Sequence, residues 1–456
     1  MDLAVLSLPI IFTIVSMVVL LVLVLKIKLP AFIALLLVSI GFGLGVQMAT
    51  EDVIEAVRSG MASTLGFVAV VVGIGAMMGA LLEHSGGVNA ISTTLLNKFG
   101  ENKSQYALAL IGFIASIPVF LDIAFIILMP VLLGIQRKTR KPLVYYAIPL
   151  LAGLAVTHAF IPPTPGPIAV ADILKADLGW VIVFGTIAGL PAAIIAGPIF
   201  AKKLAQMSMF QTDAKQESSE QADVSNDNTP PISFGAAITV ILLPLVLILA
   251  STLIKIGEET SSTDNVIVQT IIFVGHPFVA LLIGCLVAWY FIGIRRGMPA
   301  TALNEAMVKA LQPAGTVILV TGAGGVFKQI LVSSGAGADL AAMLQANALP
   351  IVFFAFFVSV IIRVAQGSAT VAMITAAGLT APVSEAAGLA GSELALLVVA
   401  IAAGATMLSH VNDSGFWLVS RYLKFSESQT LRSWTVSTTI IGIVSFAIVC
   451  LLWMMV

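Results

Sequence analysis

Residues 158–167 read HAFIPPTPGP, four prolines and a glycine in ten residues, inside a stretch that is otherwise apolar. A helix cannot run through them, because proline has no amide hydrogen to donate and its ring clashes with the preceding turn. If the flanking chain crosses a membrane, the interrupted backbone lies at membrane depth. Irregular chain is tolerated there only where protein buries it or where it lines a water-filled cavity. The decapeptide therefore separates a plain helical bundle from one built around a central site, with its backbone amides opened toward that site.

The rest of the chain supplies the membrane. Of 456 residues, 59% are hydrophobic and 10% charged, against about 25% charged in soluble domains. Apolar segments near 4–26, 29–47, 61–83, 143–174, 179–201, 233–255, 269–294, 310–333, 392–423 and 432–455 approach the roughly 20 residues that a bilayer crossing needs. They predict an all-α polytopic membrane protein with about ten transmembrane helices. Residues 1–26 have neither a basic start nor a small-residue cleavage site, so they are expected to stay as a first span. A net charge of −1 leaves no nucleic-acid footprint. Cys285 and Cys450 sit in apolar runs and no Cys/His cluster has ligand spacing, so no disulfide, metal or cofactor is expected.

Two apolar segments, 104–135 and about 348–380, are too long for one crossing and too short for two with a turn. Lys98 and Lys103 precede the first, and Arg137, Lys138, Arg140 and Lys141 follow it. Both of its ends therefore belong on the positive, cytoplasmic side, and a re-entrant helical hairpin satisfies that. With this choice Lys26, Lys28, Lys202, Lys203, Arg295, Arg296, Arg421, Lys424 and Arg432 fall inside, while Arg58, Lys175 and Lys255 are exceptions. Both termini fall outside.

The polar stretch around 211–231 has the composition of a disordered cytoplasmic linker and divides the chain into 1–205, a linker 206–232, and 233–456. Residues 66–87 lie over 315–336 without gaps, with eight of 22 positions identical. The offset, 315 − 66 = 249, also relates Gly166 to Gly415. Matched spans cross in opposite directions, which predicts two inverted repeats, each with one hairpin and one broken helix (about 143–174 and 392–423), the plan of many secondary transporters.

Four irregular points then meet the membrane interior: the tips SIPVFLD (116–122) and RVAQGSAT (363–370), and the breaks IPPTPGP (161–167) and SHVNDSG (409–415). Half-helix N-termini there favour an anionic group. Ionisable residues at that depth are functional candidates. Asp122, in an apolar run, fits a reversible proton carrier or a structural cap of the second hairpin helix; Asp413 and His158 are further proton-coupling candidates. Arg363 can grip a carboxylate with its planar fork or pair with Asp122 or Asp413. Gln366, Ser368 and Thr370 offer neutral donors and acceptors beside Gly367. His410, Asn412 and Ser414 make the second break the most polar cluster in the membrane portion, although Asn412 or Asp413 can equally cap the next half-helix. Thr164 and Gly166 complete the candidates at the first break, where the Thr164 hydroxyl can serve substrate or a nearby carbonyl.

FLDIAFIILMP (120–130), HAFIPPTPGP, LVTGAGGVFKQILVSSG (319–335), QGSATVA (366–372) and SHVNDSGFW (409–417), in this order, resemble the gluconate permease family of bacterial proton symporters. That family includes permeases for other sugar acids and for D-serine, and it is grouped with the ion transporter superfamily. The resemblance spans essentially the whole chain outside the linker. It implies proton-coupled uptake of gluconate or a related small sugar acid across the bacterial inner membrane. It further implies a homodimer moving as an elevator, with tips and broken helices in the transport domain and the first, second, sixth and seventh spans in much of the scaffold. Two positions depart from several relatives: Thr164 stands where they carry histidine, and Asp122 where some carry glutamate. A sodium-coupled carboxylate carrier and a D-serine permease are the alternatives on the same scaffold. No HExxH, GxSxG or appended soluble domain suggests an enzyme or sensor.

Overall fold

The computed structural model describes residues 8–100, 103–211, 232–258, 266–346, 349–411 and 413–456. Among them there is no strand. The first half runs α1 (Leu8–Leu25), α2 (Ala31–Gly45), α3 (Thr50–His84), α4 (Gly87–Phe99), α5 (Ser104–Ala115), α6 (Leu121–Thr139), α7 (Val144–Phe160), α8 (Pro165–Leu174), α9 (Leu178–Ile194), α10 (Phe200–Leu204) and α11 (Ser208–Gln211). The second half runs α12 (Phe234–Glu258), α13 (Val266–Val274), α14 (Pro277–Val287), α15 (Ala300–Ser333), α16 (Ala336–Ala346), α17 (Ile351–Gln366), α18 (Ala369–Ala386), α19 (Gly391–Thr406), α20 (Ser414–Tyr422), α21 (Glu427–Thr430) and α22 (Val436–Trp453).

Each of the two long apolar segments is a pair of helices: α5 and α6 are joined by 116–120, α17 and α18 by Gly367 and Ser368. Gly367 has φ +81°, a conformation that costs a side-chain-bearing residue about 1–2 kcal/mol, so glycine is the residue that lets α17 stop and α18 start two positions later. The helix interruptions also fall where proline and polar clusters place them, at 161–164 and 407–413.

Among the described residues seven helices are long and apolar enough to cross a membrane. The segment expected at 29–47 gives the shorter apolar helix α2; the described part of 4–26 is α1, and 392–423 is α19 and α20 on either side of the expected break. α2 is bounded by Pro30 and by Gln47 at φ +62°, and α19 stops at the second break. The span expected at 269–294 is divided at Gly275–His276, where the His276 side chain accepts from the Phe278 amide to cap α14. The spans expected at 61–83 and 310–333 are the apolar parts of α3 and α15, which have 35 and 34 residues. At 1.5 Å per residue such helices reach about 50 Å, beyond the roughly 30 Å hydrocarbon core. Helices α4 and α16, short and of mixed polarity, escaped a search for spans. In the expected linker, 206–211 is ordered: α11 docks where Met209 O accepts from Gln429 Nε2 at 2.6 Å. Residues 212–231 lie outside the described residues.

Small residues let these helices approach backbone to backbone, as apolar surroundings demand when lipid competes for side-chain contact. A Cβ on Gly153 of α7 would stand 2.1 Å from the Ala109 carbonyl of α5, and one on Gly404 of α19 would stand 2.4 Å from the Phe356 carbonyl of α17. Each pair is locked by one hydroxyl, Thr157 to Phe113 O and Ser359 to Ile401 O, both at 2.7 Å. α3 and α15 run antiparallel: Gly60 abuts Gly325, while Gly73 faces Leu311. α9, continued by the π-helical turn Ile195–Ile199, runs antiparallel to α22 in the same way, with Ser437 donating to Ala196 O at 3.1 Å and Ser445 to Ala188 O at 3.4 Å.

Candidate functional site

A cavity of about 260 Å³ lies where the tips and the second break meet. This is near the lower end of small-molecule pockets, about 300–1,000 Å³. Three helix N-termini open into it: Leu121 and Asp122 begin α6, Ala369 and Thr370 begin α18, Ser414 and Gly415 begin α20. Each brings amides with no intrahelical acceptor and the positive end of its dipole. Val317 of α15 and His158 of α7 help close the walls.

The strongest charge in the wall is Arg363, only 4% exposed. Its Nη2 donates to Asp413 Oδ2 at 2.5 Å, while Nε and Nη1 are enclosed without a partner among the described residues. Buried guanidinium donors left unpaired are costly, so the arrangement calls for a further acceptor. Asp413 is itself held from several sides. Its Oδ1 accepts from Gly415 N at 3.0 Å, which caps α20, and the Ser409 hydroxyl donates to Oδ2. Ser409 is fixed in turn by Trp434 Nε1, which donates to its Oγ at 2.7 Å, by its own amide donating to Thr438 Oγ1 at 3.3 Å, and by the Thr435 hydroxyl, which donates to its carbonyl. Of the two partners open to Arg363 in the sequence, the structure selects Asp413.

Asp122 lines the same cavity, is exposed to it, and makes no hydrogen bond among the described residues. The N-cap of α6 is Phe120, which has no side-chain acceptor, so Asp122 sits in the first turn without capping it. His158 lies within electrostatic reach of both Asp122 and Asp413. Its ring is 6.2 Å from that of Phe120, and its Nδ1 is enclosed without a partner. Ser368 caps α18 by accepting from Val371 N at 3.4 Å, and both Ser368 and Thr370 line the cavity.

The other candidates lie elsewhere. Thr164 is buried and donates to Ile161 O at 2.6 Å; it faces a small crevice beside Gly75 and Pro118. Gly166 packs on Met373, whose Cε would be 2.2 Å from an added Cβ. The first break does not open amides to the cavity as the sequence suggested. Pro165 and Pro167 have no N–H, and Ile168 N is taken by Thr164 O at 3.4 Å. Gln366 is outside the cavity wall, with both amide atoms enclosed and unpartnered, and Gly367 serves the turn. His410 Nε2 lies 3.0 Å from Val364 O, away from the cavity. Asn412 lies outside the described residues.

Sequence reasoning missed Phe120, Pro313, Thr406, Trp434 and Thr438, all of which line the cavity. Trp434 and Thr438 are four apart and share a face, which periodicity can signal. The wide π-helical turn Leu431–Thr435 that presents Trp434 has no such signature.

Comparison with known proteins fits this geometry. Residues 8–456 match the model of the GntP family permease. The chain is 40% identical to the low-affinity gluconate transporter of Escherichia coli K12 over 429 residues, 94% of each chain. It is 35% identical to the gluconate permease of Bacillus subtilis over 98% of this chain and 99% of that one. It is 33% identical to the Gnt-II system L-idonate transporter of Escherichia coli K12, covering 96% and 97%. Among solved structures, the YdaH transporter of Alcanivorax borkumensis aligns with a TM-score of 0.62 at 15% identity, covering 87% of this chain and 88% of that one, a likeness of fold.

Proposed function

The chain belongs to the GntP family of permeases, and from that premise we propose that it imports gluconate or a related small sugar acid together with a proton. A permease of this family is a multi-pass transporter of the bacterial inner membrane and not an enzyme. The observation that carries the substrate class is the convergence of three helix N-termini on a cavity whose wall holds Arg363 with two unpaired donors. An organic carboxylate answers both, since it is the acceptor that the guanidinium fork lacks and the negative charge that helix dipoles favour. Ser368, Thr370, Thr406 and Ser414 surround it with hydroxyl groups, which suit a polyol chain. The gluconate and idonate transporters among the relatives agree with that chemistry.

Asp122 is the coupling acid in this reading. It is open to the cavity and unpaired, so it exchanges a proton with water when the cavity is wet. With a substrate carboxylate in the cavity, a proton carried on Asp122 spares the site a second negative charge. Proton and sugar acid are thereby taken up together. Asp413, fixed by Arg363 and Ser409, holds the fork in place, and His158, between the two acids, relays.

Two inverted repeats underlie alternating access in this proposal. The antiparallel run of α3 beside α15 supports them, and so do the two hydroxyl bonds between α9 and α22. Adding 249 to Ala188 and subtracting it from Ser445 turns the Ser445–Ala188 bond into the Ser437–Ala196 bond. Hairpins and broken helices would then move as a unit against α1, α2 and α12–α14 in a homodimer. Counterflow and uptake in proteoliposomes with imposed proton or sodium gradients test the coupling. Accumulation should follow the proton gradient and ignore sodium; the reverse result makes the chain a sodium-coupled carboxylate carrier. A thermal-shift screen of gluconate, idonate, fructuronate, glycerate and D-serine names the substrate, and a response to D-serine alone replaces the sugar-acid reading.

A further inference from the structure

A second, larger cavity of about 540 Å³ lies between the C-terminal half of α3, the N-terminal half of α15 and the first hairpin tip. Its outer part carries Glu83, His84, Glu305 and Lys309, and its inner end is closed by Phe120 and Pro313. Those two residues also line the central cavity. Phe120 further lines the small crevice at the first break. One aromatic side chain thus stands where three spaces meet, and Phe120 and Pro313 are the wall residues that the larger cavity shares with the site.

We infer that the larger cavity is the cytoplasmic vestibule of the transport site and that the Phe120 ring, against Pro313, is the gate through which the sugar acid leaves. The inference rests on the transport reading above and adds the route and the gating residue. The side follows from charge. The vestibule mouth at His84 adjoins Ser85, whose carbonyl accepts from Arg296 Nη1 at 3.3 Å, and Arg295 and Arg296 stand with Lys98 and Lys103 on the basic face that stays in the cytoplasm. The walls suit passage rather than retention. Ala76, Ala80, Ala302, Ala306 and Ala310 present only methyl groups, and the two carboxylates outnumber the single lysine, so no net positive charge traps an anion. Gate motion is also cheap. Phe120 belongs to the irregular turn before α6, with no side-chain hydrogen bond to break; it is only partly buried, and its ring lies 6.2 Å from the tilted ring of His158. Swinging the ring changes one side-chain torsion, whereas moving Pro313 would bend α15.

Two experiments test this in a background with both cysteines replaced by serine. Ala306→Cys places a thiol in the vestibule, outside the binding cavity. A membrane-impermeant charged thiol reagent should cut gluconate counterflow at least fivefold when it reaches the face carrying Arg295 and Arg296, and do nothing from the other face. Modification without loss of flux, or loss only from the opposite face, overturns the vestibule. Phe120→Ala should raise gluconate exchange several-fold and lower the accumulation ratio, while Phe120→Trp lowers exchange. If both variants merely lose exchange together, or neither changes it, Phe120 is not the gate. Absence of gluconate counterflow in the unmodified background would count against the transport reading itself, so the two failures are distinct.

Discussion

The two interrupted helices, α7–α8 and α19–α20, solve one backbone problem with opposite chemistry. At 161–167 four donors are removed, since Pro162, Pro163, Pro165 and Pro167 have no N–H, and Thr164 turns its hydroxyl back on Ile161 O at 2.6 Å. At 407–413 the donors are kept and answered by side chains, with Asp413 accepting from Gly415 N at 3.0 Å and Ser409 held by Trp434 at 2.7 Å. An interruption without donors needs no ligand to complete it. One built on side-chain partners can exchange some of them for a ligand, and Arg363 Nε and Nη1 have no partner there among the described residues. The first break thus closes on itself, and the second is the binding element of the proposed transport site.

The largest effect that would sharpen this contrast is at Asp413. Removing one member of a buried ion pair leaves the other charge uncompensated, at a cost of about 3–5 kcal/mol. Asp413→Ala should lower the thermal unfolding midpoint in detergent markedly and abolish uptake, because the fork of Arg363 and the cap of α20 go together. A variant of wild-type stability would mean that the second break is no more built than the first. Asp122→Asn comes next. It keeps the shape of the cavity but carries no titrating proton, so proton-driven accumulation should vanish while gluconate exchange persists. Accumulation equal to wild type would remove Asp122 from coupling.

The contrast was only half legible in the sequence. Proline content located the first break, a polar cluster the second, and the apolar lengths of 104–135 and 348–380 both tips, because these are local features of the chain. What the sequence could not decide was direction. HAFIPPTPGP carries a histidine and a threonine beside its prolines, yet α7 turns His158 into the cavity while Thr164, six residues on, faces a separate crevice. Residues contributed from afar, such as Pro313 and Val317 in α15 and Thr438 in α22, have no polar or spacing signature, since tertiary packing alone brings them there. The partner of Arg363 was likewise open until α17 and α20 were seen side by side.

Arg363→Lys probes the fork within the second element at smaller cost. Lysine keeps the charge that Asp413 needs but offers one ammonium in place of a planar set of donors. Losing one charge-assisted hydrogen bond costs about 1.5–3 kcal/mol, roughly tenfold or more in an equilibrium constant. Gluconate affinity by thermal shift or counterflow should fall by that factor with the fold intact. Equal affinity would make Arg363 a structural ion pair alone, and the second break would lose its claim to the substrate.

The smallest effect belongs to the first break, and its smallness is the point. Thr164→Val preserves shape and removes the hydroxyl that closes on Ile161 O. The net loss of one such bond is about 1 kcal/mol, visible as a modest drop in unfolding temperature that Thr164→Ser restores. Gluconate affinity should stay within about twofold, well under the 1.4 kcal/mol that a tenfold change requires. A large loss of affinity in Thr164→Val with stability unchanged would show that the substrate reaches across the crevice to this hydroxyl. The proline corner would then be a second contact surface, and the division of labour between the two breaks would fail.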